Sequence, residues 1–509
     1  MTMISAINAA ARPDAAASDE PRAMRFASLG APYLQTVAAS PLPAPRRLWH
    51  NHALAAELGL LDGNNAWWHS DAATAVLAGN QRWPGQPALA SVYAGHQFGR
   101  FSRQLGDGRA LLINEQHSSV SGRQELQLKG AGPTPYARGG DGRATLASSL
   151  RELLASEAMH GLGIPTTRAL ALVGSSLPLQ REQDEPQRAA VLCRTAPSFL
   201  RFGHFEYFAH NGQAEHLAPL AEWLISQHHP ELHGAPQRHA LWLAEVVKRS
   251  ASLVAMWQTV GFCHGVLNTD NCSLLGLTLD YGPFGFMDRF RAHHVCNQSD
   301  SEGRYAYQAQ PAVMQWNLAR LLQACAPLLG HQPEQADEAK EAAQTLLPLF
   351  AQHYDRLVMQ RWAAKLGLAE VRPGDAALLN RWLTLLQHSR ADFSTSFRAL
   401  SDAPLAKLRQ RFREPAAFDA WAADWQARLA QQAEDPAQRL ARQRRANPVY
   451  VLRNHLAQAA ISAAQQGDTA PTERLLQLLA HPFDTQPDAA AFAAPPPADA
   501  PELAISCSS

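Results

Sequence analysis

Apolar positions recur with two different periods along this chain. Between residues 26 and 215 they fall in short alternations broken by glycine-rich turns. Ala110-Leu111-Leu112-Ile113-Asn114 and Glu125-Leu126-Gln127-Leu128-Lys129 read as strands, as do Ala169 to Val173 and Arg188 to Thr195. One helix interrupts them, Ala144 to His160, with Leu146, Leu150, Leu153 and Leu154 on one face and Gly161-Leu162-Gly163 as its stop. From residue 216 the period becomes helical. Arg238 to Val260 is a long amphipathic pattern that runs straight into a loop at His264. Further helices are predicted at 311–328, 335–366, 374–391, 403–444 and 450–465. Residues 1–25 read as disordered, and 484–509, with Pro495-Pro496-Pro497 and a Cys507-Ser508-Ser509 end, as a low-complexity mobile tail.

The expected fold class is therefore α+β, with a strand-rich lobe over 26–215 and a helical lobe over 216–483. At 509 residues the chain is too long for one compact core, which agrees with two lobes. The formal net charge is zero, so nothing draws the whole molecule toward nucleic acid or a membrane surface. No apolar run reaches the length of a membrane span. Met1 to Asp19 is Ala-rich without a basic-then-apolar signal, and a cytoplasmic location is expected. Six scattered cysteines point to reduced thiols rather than a disulfide framework.

The chemistry gathers around His264-Gly265-Val266-Leu267-Asn268-Thr269-Asp270-Asn271 and the Asp280-Tyr281-Gly282 that follows. Protein kinases carry a loop of type H-R-D-x-x-x-x-N and then a metal-binding D-F-G. Here the histidine, the asparagine and a D-Y-G variant stand in register, but Val266 occupies the place of the catalytic aspartate. Asn271 and Asp280 are oxygen donors suited to a divalent metal; the plainer alternative is an Asx-rich turn. Asp270 is the nearest carboxylate able to act as general base in place of Val266, or else it caps the turn. His264 fits a structural role better than that of base.

Lys129 ends a predicted strand and Glu152 lies in the following helix, the order in which kinases pair a phosphate-binding lysine with a glutamate. Glu157 is the competing partner, and two unrelated surface charges the simpler reading. Arg109, Arg143, Arg194 and Arg201 lie beside glycine-rich turns or at strand ends, together with Gly106, Gly108, Asp141 and Gly142. Guanidinium groups suit phosphate, and glycine lets a backbone approach a nucleotide, although each arginine taken singly also reads as a surface charge. No Gly-Lys pair is present, so there is no P-loop, and neither a G-x-S-x-G elbow nor zinc-finger spacing around Cys263, His264 and Cys272 occurs. The cluster Arg439, Arg442, Arg444 and Arg445 reads as a solvated helix face.

Taken in order, several runs resemble the selenoprotein O family, the protein adenylyltransferases of kinase-like fold. They are Tyr93 to Gly99, Leu105 to Arg109, Gln127 to Gly132, Tyr136 to Arg143, Phe199 to Gly203 and His264 to Asp288, and the likeness spans roughly 25–483 and the last three residues. The resemblance implies a two-lobed protein-kinase-like fold. It also implies ATP, with UTP as an alternative, bound in a flipped orientation, and AMP passed to Ser, Thr or Tyr hydroxyls of protein substrates. Gly106, Gly108, Arg109, Lys129, Asp141, Gly142, Arg194 and Arg201 would then hold ATP, Glu152 would pair with Lys129, Asp270 would accept the proton, and Asn271 and Asp280 would bind Mg²⁺ or Mn²⁺. A monomer is expected. The family often carries selenocysteine third from the C-terminus, where this chain has Cys507. Cys296 lies in the activation-loop position, and a reversible Cys296–Cys507 disulfide gating the site is a further expectation, against two free thiols. Two other readings stay open: a kinase that transfers the γ-phosphate, which Val266 opposes, and a silent nucleotide-binding scaffold, which the retained Lys129, Asn271 and Asp280 oppose.

Overall fold

The computed structural model describes residues 23–61, 66–181, 186–330, 336–497, 503, 505 and 506. It is a mixed α+β structure. The strands of the first part are β1 (Leu34–Thr36), β2 (Arg46–His50), β3 (Leu89–Ser91), β4 (Gly95–Gln97), β5 (Arg100–Ser102), β6 (Ala110–Ser118), β7 (Gly122–Lys129), β8 (Ala144–Thr145), β9 (Arg168–Leu179) and β10 (Gln187–Ala196). An antiparallel sheet runs in the order β1-β3-β6-β7-β10-β9-β2, with β8 added on β10, while β4 and β5 form a separate hairpin. The four strands read from the sequence are β6, β7, β9 and β10, each extended by a few residues.

Alternation on β7 does not separate core from water. Leu126 and Leu128 enter the apolar core, yet Glu125 and Gln127 on the other face are buried too. In the register, Gln127 faces Arg194 on β10. The polar face of this strand is thus turned toward a buried ionic network, with Lys129 at its end.

Thr145 caps the helix Leu146–Gly161 by accepting a hydrogen bond from the Ser148 amide. Its leucine face, Leu146, Leu150, Leu153 and Leu154, is buried against the sheet, as the spacing predicts. Helix Arg238–Val260 has both ends where the pattern places them, and Gly261 closes it in the left-handed conformation. After it, the short strands β11 (Phe262–Cys263) and β12 (Gly285–Phe286) pair antiparallel. That pairing holds the His264 loop beside the Asp280 loop.

Four expectations are corrected. The stretch 335–366 is two helices, Ala336–Leu346 and Pro348–Lys365, and 403–444 is three, Leu405–Arg409, Pro415–Ala430 and Pro436–Ala446. Proline stands at the first helical position of the restarted helices at 348, 415 and 436, where its missing N–H costs nothing. The tail is not loose over 484–497: Ala489 is buried, and buried Arg453 donates to the Ala493 carbonyl at 3.1 Å. Further on, Ile505 is also buried, and its carbonyl accepts from the Gln298 amide at 2.9 Å. The disorder expected for 1–25 falls mostly outside the described residues, and Met24 and Phe26 are already part of the core. Arg442 and Arg444 are not simply solvated, since they pair with Glu434 and Asp402.

Two apolar clusters support these elements. The larger joins the sheet, helix Leu146–Gly161 and the helices of 202–260. The smaller is built on Trp362, Trp382, Trp421 and Trp425, with Trp382 and Trp421 stacked at 4.4 Å. Among the described residues, no helix is long and apolar enough to cross a membrane.

Candidate active site

A cleft of about 930 Å³ lies where the β6–β7 end of the sheet meets the 264–283 loops. Gly106, Gly108, Arg109, Lys129, Asp141, Gly142, Arg143, Arg194, Arg201, Asp270, Asn271 and Asp280 all line it. Residues separated by up to 174 positions in sequence are therefore brought to one wall and floor, Gly106 to Asp280 being the widest span. Glu152 stands behind the wall, and Cys296 lies outside it.

The floor is an ionic knot. Lys129 Nζ lies 2.5 Å from Glu152 Oε2 and 3.0 Å from Asp280 Oδ1. Arg194 donates to Glu152 Oε1, Asp280 Oδ1 and the Leu279 carbonyl, each at 2.8 Å, and to Gln127 Oε1 at 2.7 Å. Arg201 donates to Asp280 Oδ2 at 2.7 Å and to the Asp270 carbonyl at 2.8 Å. Glu157 is engaged elsewhere, by Arg168 at 2.9 Å, so the choice between Glu152 and Glu157 falls to Glu152. Burial alone would raise the Asp280 carboxyl, but Lys129, Arg194 and Arg201 together hold it well below the usual carboxylate range. Seven lysines and arginines line the cleft against four aspartates, a positive excess that suits a polyanion.

Asp270 sits in a short 3-10 turn, Thr269–Asn271, and is 7% exposed. Its Oδ2 accepts from Gln97 Nε2 at 3.1 Å, and its Oδ1 has no hydrogen-bond partner. Burial pushes its carboxyl up to about 6, against the Gln97 hydrogen bond and the Arg201 charge. Asn271 donates through Nδ2 to the Val266 carbonyl at 2.8 Å, so that bond does not use its amide oxygen. Val266 itself lines the cleft with no group able to take a proton. His264 is buried against Trp257, and burial lowers its imidazole to about 4, in keeping with a structural role.

The donor chemistry fits a hard divalent ion. Asn271 and Asp280 are both oxygen ligands on the cleft wall, and such an ion completes its shell with phosphates and water. No group of three His, Cys, Asp or Glu side chains gathers among the described residues, so those two oxygens would act with the nucleotide rather than as a closed cage. Both Asp280 oxygens are also held by the three cations, which a metal would have to share.

The glycine-rich turns owe their glycines to close approach. Gly106 has φ +125°, and a Cβ there would come within 2.6 Å of the Tyr136 ring. Gly142 has φ +63°, and a Cβ would come within 2.1 Å of the Gly132 carbonyl carbon. Asp141 takes a bidentate contact from Arg181, at 2.9 and 3.1 Å, and this arginine also lines the cleft. Arg181 has no sequence signal. Gln97 had one, because it lies in the Tyr93–Gly99 run, but nothing in the sequence tied it to Asp270. Arg109 is exposed on the rim. Cys296 donates to the Pro283 carbonyl at 2.9 Å, and Cys507 lies outside the described residues.

The fold and cleft have the features of a nucleotide-using transferase, and comparison with known proteins gives the family. A family profile described as "Protein adenylyltransferase SelO" matches residues 20–480. The "Protein nucleotidyltransferase YdiU" of Methylococcus capsulatus is 55% identical over 525 residues, covering 100% of both chains. Its namesakes in Burkholderia thailandensis and Thioalkalivibrio sulfidiphilus are 49% identical over 98% of both chains, and 51% identical over 81% of this chain and 84% of the relative. The chain belongs to the SelO protein adenylyltransferase family.

Proposed function

We propose that this protein transfers AMP from ATP to Ser, Thr or Tyr hydroxyls of protein substrates, using a kinase-like fold with a lobe of 26–215 over a helical lobe of 216–483. The observation that carries the reading is the pairing of a cationic floor, Lys129, Arg194 and Arg201, with a buried carboxylate at Asp270 and a hydrophobic Val266 in the ordinary kinase base position.

In this reading Lys129, Arg194 and Arg201 bind the phosphates and offset the charge that grows on the leaving group. Glu152 and Gln127 hold the first two cations in place. Gly106 and Gly108 bring the turn backbone close to the nucleotide, with Arg109, Asp141 and Gly142 on the same side of the cleft. Asp270, which lines the cleft, takes the proton from the acceptor hydroxyl. The hydroxyl oxygen bonds to the α-phosphorus, the bond from that phosphorus to the bridging oxygen breaks, and pyrophosphate leaves with the electron pair. Asn271 and Asp280 would hold Mg²⁺ or Mn²⁺, which when bound supplies further neutralisation of phosphate charge.

Replacement of Asp270 with Asn tests the assignment against a silent scaffold. The account expects transfer to fall by roughly 10²- to 10⁴-fold, with ATP affinity retained in calorimetry. Unchanged transfer would remove Asp270 from the reaction.

A further inference from the structure

The base of the cleft is not built by its own loop alone. The hairpin of β4 and β5, Gly95 to Ser102, comes from the strand-rich part of the chain and lies directly on the 268–270 loop. Three successive residues of the hairpin each make a hydrogen bond to it. The His96 amide donates to Thr269 Oγ1 at 2.7 Å, Gln97 Nε2 donates to Asp270 Oδ2 at 3.1 Å, and the Phe98 amide donates to Asn268 Oδ1 at 3.1 Å. Tyr305 locks the last of these, since its hydroxyl donates to Asn268 Oδ1 at 2.5 Å and also accepts from the Phe98 amide at 3.0 Å. His96 is held in turn by buried Glu206, Nδ1 to Oε1 at 2.5 Å.

The geometry points to Gln97 as the positioning residue for Asp270: its amide holds Oδ2 while Oδ1 is buried against Gly95, so the hairpin fixes the carboxylate in one orientation. Three features support this. Gln97 lines the same cleft as Asp270. Its backbone is fixed on both sides by the neighbouring hydrogen bonds, so its side chain is presented from a rigid frame rather than a free loop. Gln97 is also the only side chain that hydrogen-bonds the Asp270 carboxylate among the described residues, since Arg201 reaches Asp270 through its backbone carbonyl. An amide is the right group for the task. It donates a hydrogen bond to a carboxylate without adding a charge, so it orients the base without pairing it off as an arginine would. Without the bond, Oδ2 loses its only side-chain partner among the described residues, and the fraction of carboxylate aligned with the acceptor falls.

This inference rests on Asp270 being the proton acceptor, and the test separates the two. Gln97→Ala and Gln97→Met, the second of matching length, are assayed with the full chain, Mn²⁺, labelled ATP and a protein acceptor. Both are expected to lower kcat by roughly 10- to 100-fold while KM for ATP and for the acceptor, and the melting temperature, stay near wild type. The residual transfer of Asp270→Asn should then be unaffected by adding Gln97→Ala, because the amide acts only through the carboxylate. A wild-type kcat in both Gln97 variants, a rise in either KM with kcat kept, or a further loss in the Asp270→Asn background would each overturn the positioning role. Wild-type kcat in Asp270→Asn itself would overturn the reading beneath it as well, whereas an inactive Asp270→Asn beside fully active Gln97 variants would remove only the role of Gln97.

Discussion

Glu152 Oε2 lies 2.5 Å from Lys129 Nζ, and the other oxygen of the same carboxylate lies 2.8 Å from Arg194 Nη1. One helix residue therefore sets two of the three cations on the cleft floor. Glu152 is 3% exposed, so its charge is sustained by those partners rather than by water. Glu152→Gln leaves Asp280 as the one carboxylate partner of both cations. It is expected to destabilise the fold by up to about 3 kcal/mol and to weaken ATP binding, unlike Asp270→Asn. Urea unfolding and calorimetry check this. An unchanged ATP affinity would mean that Glu152 does not position the pair.

Gly95 marks how closely the hairpin approaches the loop. A Cβ on Gly95 would lie 2.7 Å from Asp270 Oδ1 and 2.8 Å from Asp270 Cβ. Gly95→Ala must therefore displace Asp270. A shift of this kind is expected to cost roughly 100-fold in transfer, while ATP binding, which we assign to Lys129, Arg194 and Arg201, is expected to be retained. Steady-state rates with parallel binding measurements decide it, and an alanine variant with full activity would contradict the close packing.

Glu125 gives the stability of the fold a pH dependence. It is buried with Phe199 donating to its Oε2 at 2.9 Å, and burial pushes its carboxyl from 4.5 up to about 8. A carboxyl raised in the folded state stabilises the fold fully below its unfolded value and loses that contribution as pH rises through the folded value. The window is thus from 4.5 to about 8. At neutral pH the cost is on the order of 3 kcal/mol. Glu125→Gln keeps the acceptor for Phe199 and removes the titration. Denaturation curves should show wild type losing stability across this window and the variant losing much less. Parallel slopes would contradict the assignment.

Much of this architecture could be read from residue order alone. Helix Arg238–Val260 has one strong period and a glycine stop, and strands β6 and β7 have clear alternation, so local signals sufficed. The Lys129–Glu152 pair was legible because strand and helix are close in sequence, although only the structure excluded Glu157. The contacts that were not legible are long-range. Gln97 and Asp270 are 173 residues apart, and neither marks the other. Arg181 has no motif around it, yet it meets Asp141 at the cleft. The stretch 403–444 divides for a local reason: Pro415 and Pro436 each start a new helix. On strand β7 the alternation does not tell which face meets water, since Glu125 and Gln127 turn toward a buried ionic network.

The most direct test of the central claim is to incubate the pure protein and a protein acceptor with Mg²⁺ or Mn²⁺ and ATP labelled at either the α- or the γ-phosphate, and to weigh the intact products. The account predicts that α-label enters protein with the mass gain of AMP, that pyrophosphate is released, and that Asp270→Asn loses the incorporation. Entry of γ-label alone, with the mass gain of a phosphate, would contradict it and make the cleft that of a kinase with a displaced base.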